Sequence, residues 1–251
     1  MHEQHKAGDL LNTKAAIVAF TNGMPTWPRT VAQLVAKQEE LARATPAGWQ
    51  PPARVLALGG CFVCFPRGGA GSGARGDCAW AAATVLRGGR VVVRAVVSGV
   101  AGAPYEPGLL ALREGPLLEA AVRAMPVRAD ILLVDATGRD HPRRAGLALH
   151  LGAVLDLPTV GVTHRALVAE GPWPADQDDA ASPLRIGDEL VGHWLRTRPG
   201  TRPVAVHAAW CTDPDTALAV VRAAVSSHRT PEPIRVARTL ARETRAQGRA
   251  L

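Results

Sequence analysis

Ile131-Leu132-Leu133-Val134-Asp135 is a short apolar run that closes on an acid. Apolar on both faces, it fits a strand buried inside a sheet. Its neighbours decide the fold. Upstream, Arg54 to Phe65, Cys78 to Leu86 and Arg90 to Val97 read as three consecutive strands. A Gly-rich loop, Gly68 to Gly76, joins the first two, and Gly88-Gly89 makes a tight turn between the others. Short connections of this kind predict an antiparallel meander. A helix carrying Leu117, Leu118, Ala121 and Val122 then leads to Ile131. Downstream, Arg143 to Leu155 reads as helix and Thr159 to Val162 as another buried strand.

The order is therefore β-β-β-α-β-α-β, with hairpins first and parallel βαβ crossovers after. It predicts an α/β fold of ribonuclease H-like arrangement: a mixed five-stranded sheet with helices on both faces. Before it, Trp27-Pro28 opens an amphipathic helix through about Ala44, with Val31, Leu34, Val35 and Leu41 at helical spacing. After it come a hairpin at Leu184 to Leu195 turning at Gly187-Asp188, a strand at Val204 to His207, and a helix from Asp213 to Ser226. Thr212 or Asp213 is its expected N-cap. An Arg-rich helix follows Pro233. We expect an N-terminal extension over residues 1–26, a domain over 27–240 and an Arg-rich tail over 241–251.

The 251 residues suit one decorated α/β domain, and 47% hydrophobic content supplies a sizeable core. No apolar run is long enough to span a bilayer, and the first residues lack a signal-peptide pattern. This composition leads us to expect a cytoplasmic monomer that does not engage membranes. A net charge of +7 and a pI near 10 suit a polyanionic partner. Lysine occurs only at Lys6, Lys14 and Lys37, so the positive charge is nearly all arginine in an Ala-, Gly- and Pro-rich chain. Coding bias accounts for part of that arginine. Cys61-x-x-Cys64 invites a zinc reading, but residues three apart on a strand point to opposite faces. Buried thiols are the simpler reading of the four cysteines.

Two blocks carry chemistry. The first is Pro104-Tyr105-Glu106-Pro107-Gly108-Leu109-Leu110-Ala111-Leu112-Arg113-Glu114-Gly115-Pro116. The second is Leu133-Val134-Asp135-Ala136-Thr137-Gly138-Arg139-Asp140-His141-Pro142-Arg143-Arg144-Ala145-Gly146. Asp135 ends a parallel strand, where ligands of open α/β sheets gather. It either helps bind Mg²⁺ or caps the next turn. Glu114 is a second carboxylate for the same cation, or a helix-start acid stabilised by the helix dipole. His141 is placed to reach a phosphate, or is a satisfied loop histidine. Arg143 and Arg144 read as anion-binding groups at a helix N-terminus. Prolines hold Tyr105 rigidly at a loop tip, as a wedge for a base stack or as a ring packed on a sheet edge.

In these blocks the chain resembles the endonuclease V family, nucleases of deoxyinosine repair with a ribonuclease H-like fold. The likeness runs from Trp27 to Arg238 and includes Leu157-Pro158-Thr159-Val160-Gly161-Val162 and Thr230-Pro231-Glu232-Pro233. It implies Mg²⁺-dependent (or Mn²⁺-dependent) cleavage of DNA or RNA containing deoxyinosine or inosine, a DNA-repair activity. The implied catalytic residues are Glu114, Asp135, His141 and Asp215, with Glu114 and Asp135 as metal ligands. Implied substrate contacts are Pro104, Tyr105, Pro107, Gly108, Gly138, Arg143 and His164. The chain departs from the family in three places. Alignment on Phe65 puts Phe62 where the family's first-strand Asp stands, and the nearest acid is Asp77. His164 replaces a lysine, and Glu106 an apolar wedge residue. The resemblance thus implies a nuclease as the first reading, with a relative that holds nucleic acid with impaired catalysis as the alternative. A zinc variant built on Cys61, Cys64 or Cys78 is a third.

Overall fold

The structure, a computed structural model, describes residues 27–66 and 73–248. The extension expected over residues 1–26 lies outside them. Thirteen elements follow in order. They are α1 (Val31–Arg43), β1 (Ala57–Cys64), β2 (Cys78–Arg87), β3 (Arg90–Val100), α2 (Leu110–Arg123), β4 (Ile131–Val134) and α3 (Leu147–Leu155). Then come β5 (Thr159–Thr163), β6 (Ala181–Ile186), β7 (Glu189–Leu195), β8 (Val204–Ala208), α4 (Pro214–Ala224) and α5 (Glu232–Gln247).

The meander and both crossovers are present. β1 pairs antiparallel with β2 and β2 with β3, while β1, β4 and β5 run parallel. The sheet has eight strands, however, in the order β3-β2-β1-β4-β5-β8-β7-β6, so the expected count of five was too small. The reason lies in β5. As an edge it would leave a buried row of backbone donors and acceptors unpaired. β8 pairs with it antiparallel, from Val160↔Ala208 to Thr163↔Ala205, and the β6–β7 hairpin adds to β8.

Strand alternation sorts the core. Cys61, Ala81, Ala83 and Val134 face the layer formed by α1, α2 and α3. Phe62, Cys64 and Ala82 face Ala237 and Ala241 of α5. Ile131, Leu133, Val160 and Val162 meet α4 and Ile234. Gly60 lets α5 approach: a Cβ there would lie 2.3 Å from the backbone of Pro233. The tail expected from residue 241 continues α5 to Gln247, with Ala241 buried.

Two helices start elsewhere than expected. α2 begins at Leu110, so Glu114 lies inside it and Pro116 is an interior proline. Pro116 has no N–H for the carbonyl one turn back, and the N–H of Gly102 bonds the adjacent carbonyl of Arg113 at 3.2 Å. α3 begins only at Leu147, because Arg144 adopts a left-handed backbone with φ of 55°. Asp213 is the N-cap of α4, accepting from the N–H of Thr216 at 2.8 Å. Among the described residues, no helix is long and apolar enough to cross a membrane.

Candidate nucleic-acid site

The two sequence blocks meet at one carbonyl. Gly108, with φ of +80°, ends the loop between β3 and α2 and turns its C=O into the protein. That oxygen accepts hydrogen bonds from Gln38 Nε2 at 3.1 Å, His141 Nε2 at 3.1 Å and Arg143 Nη2 at 3.2 Å. Gln38 Oε1 also accepts from Arg143 Nε at 2.6 Å. His141 Nδ1 accepts from the N–H of Arg143 at 3.2 Å, which leaves Nε2 to carry the proton. Burial pulls the pKa of His141 down to about 4, and the nearby Arg143 pushes the same way, so the ring is neutral. His141 is 2% exposed with both nitrogens engaged. It braces the loop, and Arg143 points inward beside it.

A second clamp holds the other end of that loop. The Arg113 guanidinium, 3% exposed, donates to the carbonyls of Ala74 and Ala103 and to Asp77 Oδ2 at 2.9 Å, and stacks 4.0 Å from the Phe65 ring. Asp77 is thereby committed, and Arg113 holds its carboxyl below the usual range. Between the clamps, Pro104, Tyr105, Glu106 and Pro107 are exposed, and Tyr105 is 46% exposed. An aromatic ring is thus carried outward on a pinned loop.

Asp135 stands at the end of β4, half-buried. Glu114, on α2, lies near enough to feel the charge of Asp135. Burial raises the Glu114 carboxyl to about 7; Arg113 opposes the rise and Asp135 adds to it. The first-strand side chain electrostatically close to both carboxylates is Cys61. Its thiol is pushed up by burial first, then by Asp135 and Glu114. Phe62, one residue on, faces α5 beneath Arg238 and Arg242, with guanidinium carbons 5.1 and 5.7 Å from the ring centroid. The register of β1 therefore gives the carboxylate side to a thiol and the α5 side to an aromatic ring.

Arg238, which the sequence reading passed over, is central. Its Nη2 donates to Asp135 Oδ2 at 3.0 Å. His164, exposed at the end of β5, has its pKa lowered by partial burial and by Arg229 and Arg238, while Asp135 opposes them. The loop that carries His164 is fixed by another overlooked residue. Asp140 is fully buried and accepts from the N–H groups of Leu167, Val168 and Ala169 at 2.7, 2.8 and 2.7 Å. Gly138 is a packing residue: a Cβ there would lie 2.1 Å from the carbonyl oxygen of Ala208.

Asp215 does not join this cluster. It is 85% exposed in the first turn of α4, and its carboxylate lies 3.6 Å from His193 Nε2 on β7. β7 lies three strands from β4, a lateral distance of about 14 Å at ordinary strand spacing. Cys61 and Cys64 face opposite sides of β1, as their spacing requires. Among the described residues, no three His, Cys, Asp or Glu side chains converge as a metal cage would require. Glu114 and Asp135 are two carboxylates, and one oxygen of Asp135 is taken by a guanidinium. As arranged, these side chains do not fit a complete divalent-cation site.

The family model described as Endonuclease V matches residues 61–239. Endonuclease V of Roseiflexus castenholzii is 41% identical over 180 residues, covering 70% of this chain and 81% of the relative. The crystal structure of Endonuclease V from Streptomyces avermitilis superposes with a TM-score of 0.77 at 33% identity, covering 89% of this chain and 96% of that one. Ciona intestinalis Endonuclease V, in complex with a 24mer DNA containing an inosine followed by a ribo-adenosine, shares the fold with a TM-score of 0.71. It is 20% identical, with coverage of 86% and 98%.

Proposed function

The chain belongs to the endonuclease V family, and from that premise we propose that it acts on inosine-containing DNA or RNA at a centre better suited to holding the strand than to cutting it. The observation that carries this reading is the Arg238–Asp135 ion pair, at 3.0 Å. The Ciona relative's inosine-containing DNA supports the choice of ligand. We assign base-stack contact to Tyr105 on its proline-framed loop, and strand contact to His164 and Arg238. Glu114, Asp135 and Cys61 form the centre. Residues 27–240 carry this function in our reading.

Phosphodiester hydrolysis depends mainly on positioning and charge neutralisation. A thiol in the carboxylate layer and a guanidinium on Asp135 weaken both for a cation-assisted reaction. A second reading, full Mg²⁺- or Mn²⁺-dependent nicking, is favoured by the retention of Glu114 and Asp135. Mg²⁺ binds through one or two carboxylates together with substrate phosphates.

The deciding experiment incubates the protein with labelled DNA and RNA strands carrying one inosine, beside inosine-free controls, in Mg²⁺, Mn²⁺ or chelator. We expect a salt-sensitive gel shift that prefers the inosine strands and survives chelation, with little nicking. Rapid nicking beside inosine that Asp135→Ala abolishes would establish the second reading instead. Equal binding of every strand would remove inosine from the proposal.

A further inference from the structure

Arg238 sits where a cation is expected and is held there from three sides. Its Nη2 donates to Asp135 Oδ2, and its Nη1 donates to Thr230 Oγ1 at 3.3 Å. The Phe62 ring packs 5.1 Å from its guanidinium carbon. The ion pair is well shielded, with side chains 18% and 25% exposed. Among the described residues, the buried Nε of Arg238 has no hydrogen-bond partner, so the guanidinium is not fully satisfied. Three features of this chain thus agree. An aromatic ring supports the guanidinium, an uncharged thiol lies beside Glu114 and Asp135, and an arginine supplies the positive charge.

We propose that Arg238 is a resident replacement for a divalent cation at Asp135, so that the centre carries its counter-charge covalently and excludes metal. A guanidinium and a divalent ion cannot share one carboxylate oxygen at bonding distance, because like charges so close repel strongly. A metal must therefore displace Arg238 and leave a half-buried arginine without its partner, a costly exchange. The second hydrogens of Nη1 and Nη2, rather than the buried Nε, are the donors suited to a phosphate oxygen. That consequence rests on the strand-binding reading above, whereas the exclusion of metal does not.

The test is Mn²⁺ titration followed by electron paramagnetic resonance on the full chain without nucleic acid. The parent is expected to bind Mn²⁺ weakly. Arg238→Gln should tighten binding by about tenfold or more, the size of one pKa unit of electrostatic coupling. Adding Asp135→Asn should abolish the gain. Arg238→Lys keeps the charge and should remain weak, which separates charge from altered shape, and thermal melting confirms that each variant folds. Equal Mn²⁺ affinity in the parent, Arg238→Gln and Arg238→Lys overturns the inference, as does tight binding by the parent. Gel shifts in chelator run alongside. Loss of strand binding by the parent, with the Mn²⁺ gain intact, would refute the strand-binding reading and leave cation replacement standing.

Discussion

At the scale of single residues, the pair Glu114 and Asp135 behaves as an electrostatic unit. The Glu114 carboxyl titrates at about 7 in the fold against an ordinary value of 4.5, chiefly through burial. The folded state thus binds this proton more tightly than the unfolded chain. Stability is lost as pH rises from about 4.5 through about 7 and then levels off. Glu114→Gln keeps the shape and removes the titration. Above neutral pH it should be more stable than the parent by on the order of 3 kcal/mol, with the two converging near pH 4. Urea melts across that range test this; parallel curves for the two proteins would refute it. Both carboxylates were singled out through motifs shared with the family, since local sequence left each equally well explained as a cap or a helix-start acid. Arg238 was not, since one arginine in an Arg-rich helix acquires meaning only when α5 crosses the end of β4. Asp215 lies apart from that pair, and an acid in a helix's first turn is already explained by the dipole. The choice between Cys61 and Phe62 turns on strand register, where a shift of one residue exchanges the two faces.

At the scale of elements, the site depends on loops pinned by buried charges. The loop after β5 presents His164 and hangs from Asp140, whose two oxygens accept three backbone N–H groups. Asp140→Asn turns one acceptor into a donor that faces a donor. We expect a loss of about 1.5–3 kcal/mol, the range for hydrogen bonds to a charged group. The local effect should be larger than the global one. Arg165 is exposed within this loop, so limited trypsin digestion should cut there faster in the variant. An unchanged cleavage rate at Arg165 would mean that Asp140 does not anchor the loop. Alternation and turn residues revealed nearly every strand, including the β6–β7 hairpin and β8. Their membership of one sheet was hidden, because pairing partners are chosen by which edges remain open after folding. The delayed start of α3 was hidden as well, since the apolar periodicity of Leu147 to Leu155 carries no mark of the left-handed turn at Arg144.

At the scale of the whole molecule, a charge of +7, nearly all of its positive side arginine, suits a polyanionic partner, and the proposed base selectivity would be superimposed on that. The fold separates the two contributions in space. Arg242 is exposed on α5, above Phe62 and beside Arg238, where it adds charge without touching Asp135. Tyr105 projects from the pinned loop between β3 and α2. The two substitutions should therefore leave different signatures. Where the strand runs along α5, Arg242→Gln would remove one phosphate contact. It should weaken single strands with and without inosine equally, and flatten the log K against log salt line by about 0.7. Tyr105→Ala removes a stacking surface worth on the order of 1–3 kcal/mol per base. It should leave the salt slope unchanged while narrowing the preference for the inosine strand. Equilibrium binding of paired strands across a salt series measures both quantities at once. If Tyr105→Ala lowers affinity for both strands alike, the ring is a general stacking platform and inosine is read elsewhere. A salt slope insensitive to Arg242→Gln would place the strand's path away from α5, and with it away from the ion pair at Asp135.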